Sequence, residues 1–199
     1  MENRQITIRV HRPSTREKSF YFLAGVVMSV PMAVFFETYM QSALSGLSTI
    51  VATVISVAVI APFVEEFSKA FPLFYRHGET QRSIVNLGVL VGLGFGIVEF
   101  LEYIFLLGVP VIDRIPGLFF HPASTAITAY GIGKKKTGRY YMLAVGLHVS
   151  NNFLAVVSPA PFSILVSGLT VLIAYNLYCK TQEKIIKDDY AEVTELLSK

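Results

Sequence analysis

Ionisable side chains occur inside the apolar runs of this 199-residue chain, where a helix facing lipid should carry none. They are Glu65, Glu66 and Lys69, then Glu99, His121 and His148, the last followed by the amides Asn151 and Asn152. A charge at membrane depth costs about 2.5–3.5 kcal/mol even on lenient insertion scales, so such groups turn inward and pair. Carboxylates combined with two imidazoles are suited to hydrolysis.

Two hydrolytic chemistries fit these residue types. In one, two histidines and a glutamate bind zinc with one position open, and a second glutamate deprotonates the bound water. In the other, a glutamate activates water without a metal, while histidine and asparagine side chains stabilise the oxyanion. The chain has no His-Glu-x-x-His motif, and the spacing of the residues leaves both chemistries open.

The ionisable residues are predicted to lie at one depth. Counted from the nearest polar flanking residue, Glu66, Glu99, His121 and His148 lie 9 to 13 positions into their apolar runs. At 1.5 Å per helical residue this is roughly 13–20 Å, within a hydrocarbon core about 30 Å thick. Unrelated polar residues would scatter in depth, so we expect a single intramembrane site.

Helical spacing adds polar neighbours to these residues. Lys69 follows Glu65 by four positions and Glu66 by three, so an ion pair on one helix face is expected. Asn151 follows His148 by three positions, and a polar group one turn away can orient a buried imidazole. We therefore expect Lys69 and Asn151 to support the site.

Composition indicates an integral membrane protein. The chain is 53% hydrophobic and only 16% charged, with a mean hydropathy of +0.54, whereas an ordinary soluble domain is roughly 25% charged. The net charge of +3 does not indicate nucleic-acid binding, because the basic residues follow the predicted sides of the membrane. We expect the lipid bilayer and a membrane peptide as partners, and no nucleic acid.

Six apolar runs predict an all-α fold, a polytopic membrane bundle of about six transmembrane helices. The runs cover residues 20–36, 47–64, 83–107, 117–133, 140–157 and 162–178. We expect a basic cytoplasmic tail over residues 1–19, a six-span domain holding the site over residues 20–179, and a cytoplasmic tail over residues 180–199. Within the tails, alternation predicts a short strand over 6–10 and helical periodicity predicts a surface helix after residue 185.

The lysines and arginines predict the orientation. Fifteen of them lie in the two tails and the loops on the same side, while the opposite loops contain only Arg114. Such an excess marks the cytoplasmic side, so both termini should be cytoplasmic in a multi-pass protein of the cell membrane.

Pro62 lies directly before the paired glutamates. Proline lacks a backbone N–H and clashes with the preceding turn, so the helix should kink or restart there. After a restart, the positive end of the new helix would favour Glu65 and Glu66 as carboxylates.

The motifs resemble those of a known family. They read Glu65-Glu66-x-x-Lys69, Gly94-Phe95-Gly96-x-x-Glu99, His121-Pro122-x-x-Thr125-Ala126 and Leu147-His148-x-x-Asn151-Asn152-Phe153. Over about residues 45–157 the chain resembles the PrsW family of intramembrane proteases, which are usually described as metalloproteases and are related to the type II CAAX prenyl proteases. The resemblance implies that Glu65 and Glu66 are the catalytic pair. It also implies that Glu99, His121 and His148 complete the site, with Asn152 as the catalytic amide and Asn151 as the alternative.

The sequence hypothesis is thus an intramembrane endopeptidase that cleaves a membrane-anchored substrate, for example a signalling protein such as an anti-sigma factor. Glu65 or Glu66 activates water, and zinc held by Glu99, His121 and His148 is the expected cofactor, with a metal-free mechanism as the alternative. A proton- or ion-coupled transporter using midplane Glu and His is a second function, and a non-catalytic scaffold is a weaker third. Transporters often contain an inverted repeat with a broken helix in each half. The sequence predicts one break, before Glu65 and Glu66, and no counterpart, which disfavours the transporter.

Overall fold

The structure is a computed structural model that describes residues 12–75, 80–157 and 161–181. Every regular element in these ranges is helical, so the predicted all-α class is confirmed. The predicted strand over 6–10 and the predicted helix after residue 185 lie outside the described residues. The helices are α1 (Thr15–Ala43), α2 (Thr49–Phe74), α3 (Gln81–Phe105), α4 (Val111–Gly133), α5 (Thr137–Val157) and α6 (Pro161–Cys179).

Five of these helices, all except α4, are long and apolar enough to cross a membrane. The helix α4 has 23 residues but carries more polar side chains. Its second half, from Phe120 to Gly133, is almost entirely buried among the other helices. A helix that contacts protein on most sides does not need an apolar surface for lipid, which explains its lower hydropathy.

The first helix is longer than predicted. Helical structure continues from Thr15 through a π-helical turn at Gly25–Ser29, past Pro31 and on to Ala43. The sequence predicts that this span ends at residue 36, directly before Glu37. Glu37 is only half-buried and lines a polar cavity inside the bundle, so its carboxylate does not have to face lipid.

The second helix continues through Pro62 and does not restart. A π-helical segment, Val54–Ile60, leads directly into the α-helical segment Ala61–Ala70, and Ile60 keeps helical angles of φ −66° and ψ −52°. Pro62 cannot donate to the Val57 carbonyl five residues earlier, and the Asn152 side chain of α5 donates to that carbonyl at 3.0 Å. The carboxylates after Pro62 therefore have no free helix end beside them.

Glycines on α3 let α4 approach closely. A Cβ atom at Gly92 would overlap the His121 carbonyl oxygen, and one at Gly88 would lie 2.6 Å from Ala129 Cβ. Gly96 lies against the His121 side chain, where an added Cβ would be 3.3 Å from His121 Cβ. Small residues permit such contact between membrane helices, and here the contact sets the position of His121 relative to α3.

Candidate active site

Glu66 is the hub of a buried hydrogen-bond network. Its Oε1 atom accepts from Lys69 Nζ at 2.7 Å, from Ser124 Oγ at 2.9 Å and from His148 Nδ1 at 2.9 Å. The side chains of Glu66 and Lys69 are both fully buried. A buried charge is tolerated when it is paired and hydrogen-bonded, so this ion pair joins α2 to α4 and α5.

His121 is held through both ring nitrogens. Lys69 Nζ lies 2.9 Å from its Nδ1 atom, and Glu99 Oε2 lies 2.6 Å from its Nε2 atom. Lysine can only donate and a carboxylate can only accept. These partners therefore assign the ring proton to Nε2, which donates to Glu99.

Arg114 extends this network, and sequence reasoning missed it. Its Nη2 atom lies 3.1 Å from Glu99 Oε2, and its guanidinium carbon lies 3.5 Å from the centre of the Tyr103 ring. We had placed Arg114 in a turn between spans, whereas α4 already begins at Val111. Its spacing of seven residues from His121, two turns on one helix face, was the available signal.

Glu65 faces both imidazoles without a hydrogen bond. Its Oε2 atom is buried and has no hydrogen-bond partner in the part of the chain that the structure describes. It lies 3.7 Å from His148 Nε2 and 4.0 Å from His121 Nδ1. Because His148 donates from Nδ1 to Glu66, its Nε2 atom carries a lone pair directed at Glu65.

A cavity of about 730 Å³ leads to this group. Glu65, His121 and His148 line it, whereas Glu66 does not. The cavity also reaches Leu107 and Asp113, beside the connection between α3 and α4. That connection lies at the opposite end of α4 from the basic loop at residues 134–139.

The two asparagines line the same cavity but form hydrogen bonds with groups other than the Glu and His residues. Asn152 donates to the Val57 carbonyl, and Asn151 donates to Asn152 Oδ1 at 3.3 Å. Ser167 of α6 donates to Asn151 Oδ1 at 3.0 Å. The structure thus brings the Glu and His residues of all four motifs together, with Lys69 among them, and places the two amides in the adjoining wall.

A family model described as PrsW family intramembrane metalloprotease matches residues 16–178, which is most of the chain. The chain belongs to the PrsW family. It is therefore a membrane protease, and its apolar helices agree with a multi-pass membrane protein. No curated protein and no solved structure matches the chain. Membership of the PrsW family does not favour the transporter or the scaffold.

The geometry tests whether the residues suit the metal that the PrsW family implies. Ligand atoms of Glu65, His121 and His148 all lie within 4.8 Å of one another. Ligand atoms in a tetrahedral zinc site are about 3.3 Å apart, and two imidazoles with one carboxylate form a known catalytic donor set. The Glu65 distances of 3.7 and 4.0 Å are longer than this, and the group extends up to 4.8 Å, so the three residues fit a metal ion once their side chains move closer together.

The ligand group differs in one member from the set that we expected. Glu99 lies against Nε2 of His121, the ring nitrogen directed away from Glu65. A carboxylate in that position orients a metal-binding imidazole rather than binding the metal. Lys69 Nζ lies on the other ring nitrogen, Nδ1, so metal binding by His121 requires Lys69 to give up this contact.

Proposed function

We propose that this chain is an intramembrane endopeptidase in which Glu65 is the carboxylate that activates water. The observation that carries the proposal is the position of Glu65 Oε2, which is buried, without a hydrogen bond in the described residues, and directed at two imidazoles beside a cavity. A general base must reach the proton that it abstracts. Both glutamates have a buried Oε2 without a hydrogen bond in the described residues, but only Glu65 lines the cavity, while Glu66 accepts three hydrogen bonds through Oε1.

In this proposal the other residues position the reacting groups. Glu66 holds His148 through Nδ1, so that Nε2 points toward Glu65. Glu99 holds His121 in the same manner from the opposite side of the ring. Asn152, which lines the cavity, has a second amide hydrogen that can donate to the developing oxyanion.

We further propose zinc as the metal, held by His121, His148 and one oxygen of Glu65, which leaves the other Glu65 oxygen to accept the proton of the water. A bound zinc ion would polarise the scissile carbonyl and acidify a water molecule. Two lone-pair atoms, Glu65 Oε2 and His148 Nε2, face each other at 3.7 Å. Such a pair is stabilised by a cation or a proton donor between them, which supports this part of the proposal.

The orientation and the substrate belong to the same proposal. The excess of basic residues in the tails and in the loops at 76–82 and 134–139 favours six spans with both termini cytoplasmic, in the cell membrane. The membrane domain then covers residues 20–179, between tails at 1–19 and 180–199. The cavity would open toward the outer face, which favours a single-span membrane protein cleaved near that face, such as an anti-sigma factor.

The test is cleavage of a single-span substrate by the purified full-length protein in detergent. Glu65→Gln should lower kcat by about 10²–10⁴-fold, the usual contribution of a general base. Glu102→Gln is the matched control, because Glu102 lies exposed on the same cavity wall and belongs to neither imidazole contact. Full activity of a folded Glu65→Gln protein would exclude Glu65 from the reaction.

A further inference from the structure

Two adjoining cavities lie on α3, at the end of the bundle that carries the basic loops. The smaller has a volume of about 160 Å³ and is lined by three cations, Arg12, Lys18 and Arg82. No carboxylate is among its described lining residues. The larger, about 550 Å³, is lined almost entirely by apolar side chains of α3, α4 and α6.

Two cations in the smaller cavity, Lys18 and Arg82, have unused donors. Lys18 is exposed, and its ammonium group makes no hydrogen bond or ion pair within the described ranges. The Arg82 guanidinium donates to Thr181 Oγ1 at 3.3 Å and to the Thr181 carbonyl at 3.1 Å. Arginine has five N–H donors, so most of those on Arg82 remain available while α6 holds the group in place.

The cavity also includes the first turn of α3. Thr80, the N-cap residue, accepts from the Ser83 backbone N–H at 3.1 Å, and both side chains line the cavity. The start of a 25-residue helix carries a partial positive charge. Together with the three cations it predicts an anionic ligand. Thr80 Oγ1 donates to Ser83 Oγ at 2.9 Å, which leaves the Ser83 hydroxyl to donate to a phosphate oxygen.

The larger cavity begins where the smaller one ends. Asn86 lines both, and the Tyr178 ring of the larger cavity lies 5.6 Å from the Arg82 guanidinium carbon. Along α3 the groove runs from Val85 to Ile97, which is about 18 Å at 1.5 Å per residue. One leaflet of a bilayer core is about 15 Å thick, so the groove has the length of one acyl chain.

We propose that the two cavities bind one anionic phospholipid. Its phosphate lies between Arg12, Lys18 and Arg82, and one acyl chain follows the groove on α3. The occupant is a lipid because charge and hydrocarbon complementarity are continuous through Asn86, and a free anion would use only the polar part. This site shares no lining residue with the cavity of Glu65 and does not depend on the proposed protease mechanism.

The experiment measures thermal unfolding of the full-length protein in neutral detergent. Dioleoyl phosphatidylglycerol is titrated against dioleoyl phosphatidylcholine, which has the same chains without a net charge, and inorganic phosphate is a third arm. We expect a saturable rise in Tm of about 5 °C with phosphatidylglycerol at a hundredfold excess over Kd, and little change with the other two. Inorganic phosphate has no acyl chain, so it cannot produce the same rise in Tm if the groove contributes to binding.

Variants identify the site. Lys18→Gln and Arg82→Gln should each reduce the lipid-induced shift to less than half, measured from the variant's own lipid-free Tm. Lys134→Gln and Arg139→Gln are matched controls, because they remove a cation from the same end of the bundle outside both cavities. Lys18→Gln still tests the site if Arg82→Gln unfolds. The Lys18 side chain is exposed and makes no hydrogen bond or ion pair in the described structure, so its loss should not destabilise the protein.

Three outcomes would overturn the proposal. An equal shift with phosphatidylcholine would show that the charge does not matter. The same shift with inorganic phosphate alone would assign the polar cavity to a free anion. A loss of the shift in the control variants as large as in Lys18→Gln would show a diffuse surface effect in place of a site.

Discussion

The hydrogen bond from His148 Nδ1 to Glu66 Oε1, 2.9 Å long, gives two adjacent carboxylates different roles in the site. It engages the Oε1 atom of Glu66 and directs Nε2 of His148 toward Glu65. The two glutamates are neighbours in the chain, yet only Glu65 lines the cavity. They should therefore respond differently to the same substitution.

Glu66→Gln should lower activity less than Glu65→Gln but should destabilise the protein more. Loss of an orienting partner typically costs 10–100-fold in activity, whereas the Lys69 ammonium would remain buried without its anion, at a cost of about 3–5 kcal/mol. The measurements are kcat and the free energy of unfolding for both variants. Equal stability of the two variants would contradict the assignment of Glu66 as the partner of Lys69.

Arg114 should be a positioning residue for the proposed reaction. Arg114→Gln removes the cation beside Glu99, so we expect kcat to fall about tenfold while KM changes little. Arg114→Lys keeps the charge and should recover part of kcat. A change confined to KM, or no recovery with lysine, would show that Arg114 acts on the substrate or on folding.

Gly92→Ala should disturb the site without changing any of its side chains. The added methyl group would overlap the His121 carbonyl and push α4 away from α3, which we expect to cost about 1–3 kcal/mol and to lower activity. Gly146→Ala in α5 is the matched control, because a Cβ there meets no atom within 4 Å. Similar stability of the two variants would argue against close contact at Gly92.

Metal binding should depend on the two imidazoles. Elemental analysis of the purified protein should find one equivalent of metal per chain, and His148→Ala or treatment with a chelator should remove it, because two donors bind a metal much more weakly than three. Arg139→Gln, which is exposed at the start of α5 nine residues before His148, should keep the metal. A fully active protein with less than about a tenth of an equivalent would establish the metal-free chemistry that the sequence left open.

Several predictions from the sequence failed because they depend on contacts with side chains of neighbouring helices. The end of α1 was placed too early because Glu37 looks like a boundary when its cavity is unknown. The restart at Pro62 was a reasonable expectation, but the amide of Asn152 satisfies the Val57 carbonyl from another helix. Arg114 was assigned to a turn because a charged side chain next to Asp113 gives no sign of a partner on α3.

By itself the sequence determined the helical class and the long apolar helices, and it predicted a common depth for Glu66, Glu99, His121 and His148. These properties depend on local quantities, the hydrophobicity of each run and the fixed rise of 1.5 Å per residue. Only the tertiary structure decided that Glu65, and not Glu99, faces His148 Nε2 and His121 Nδ1. That choice depends on how each helix is rotated about its axis, and the rotation is set by contacts between helices, such as Gly92 against His121.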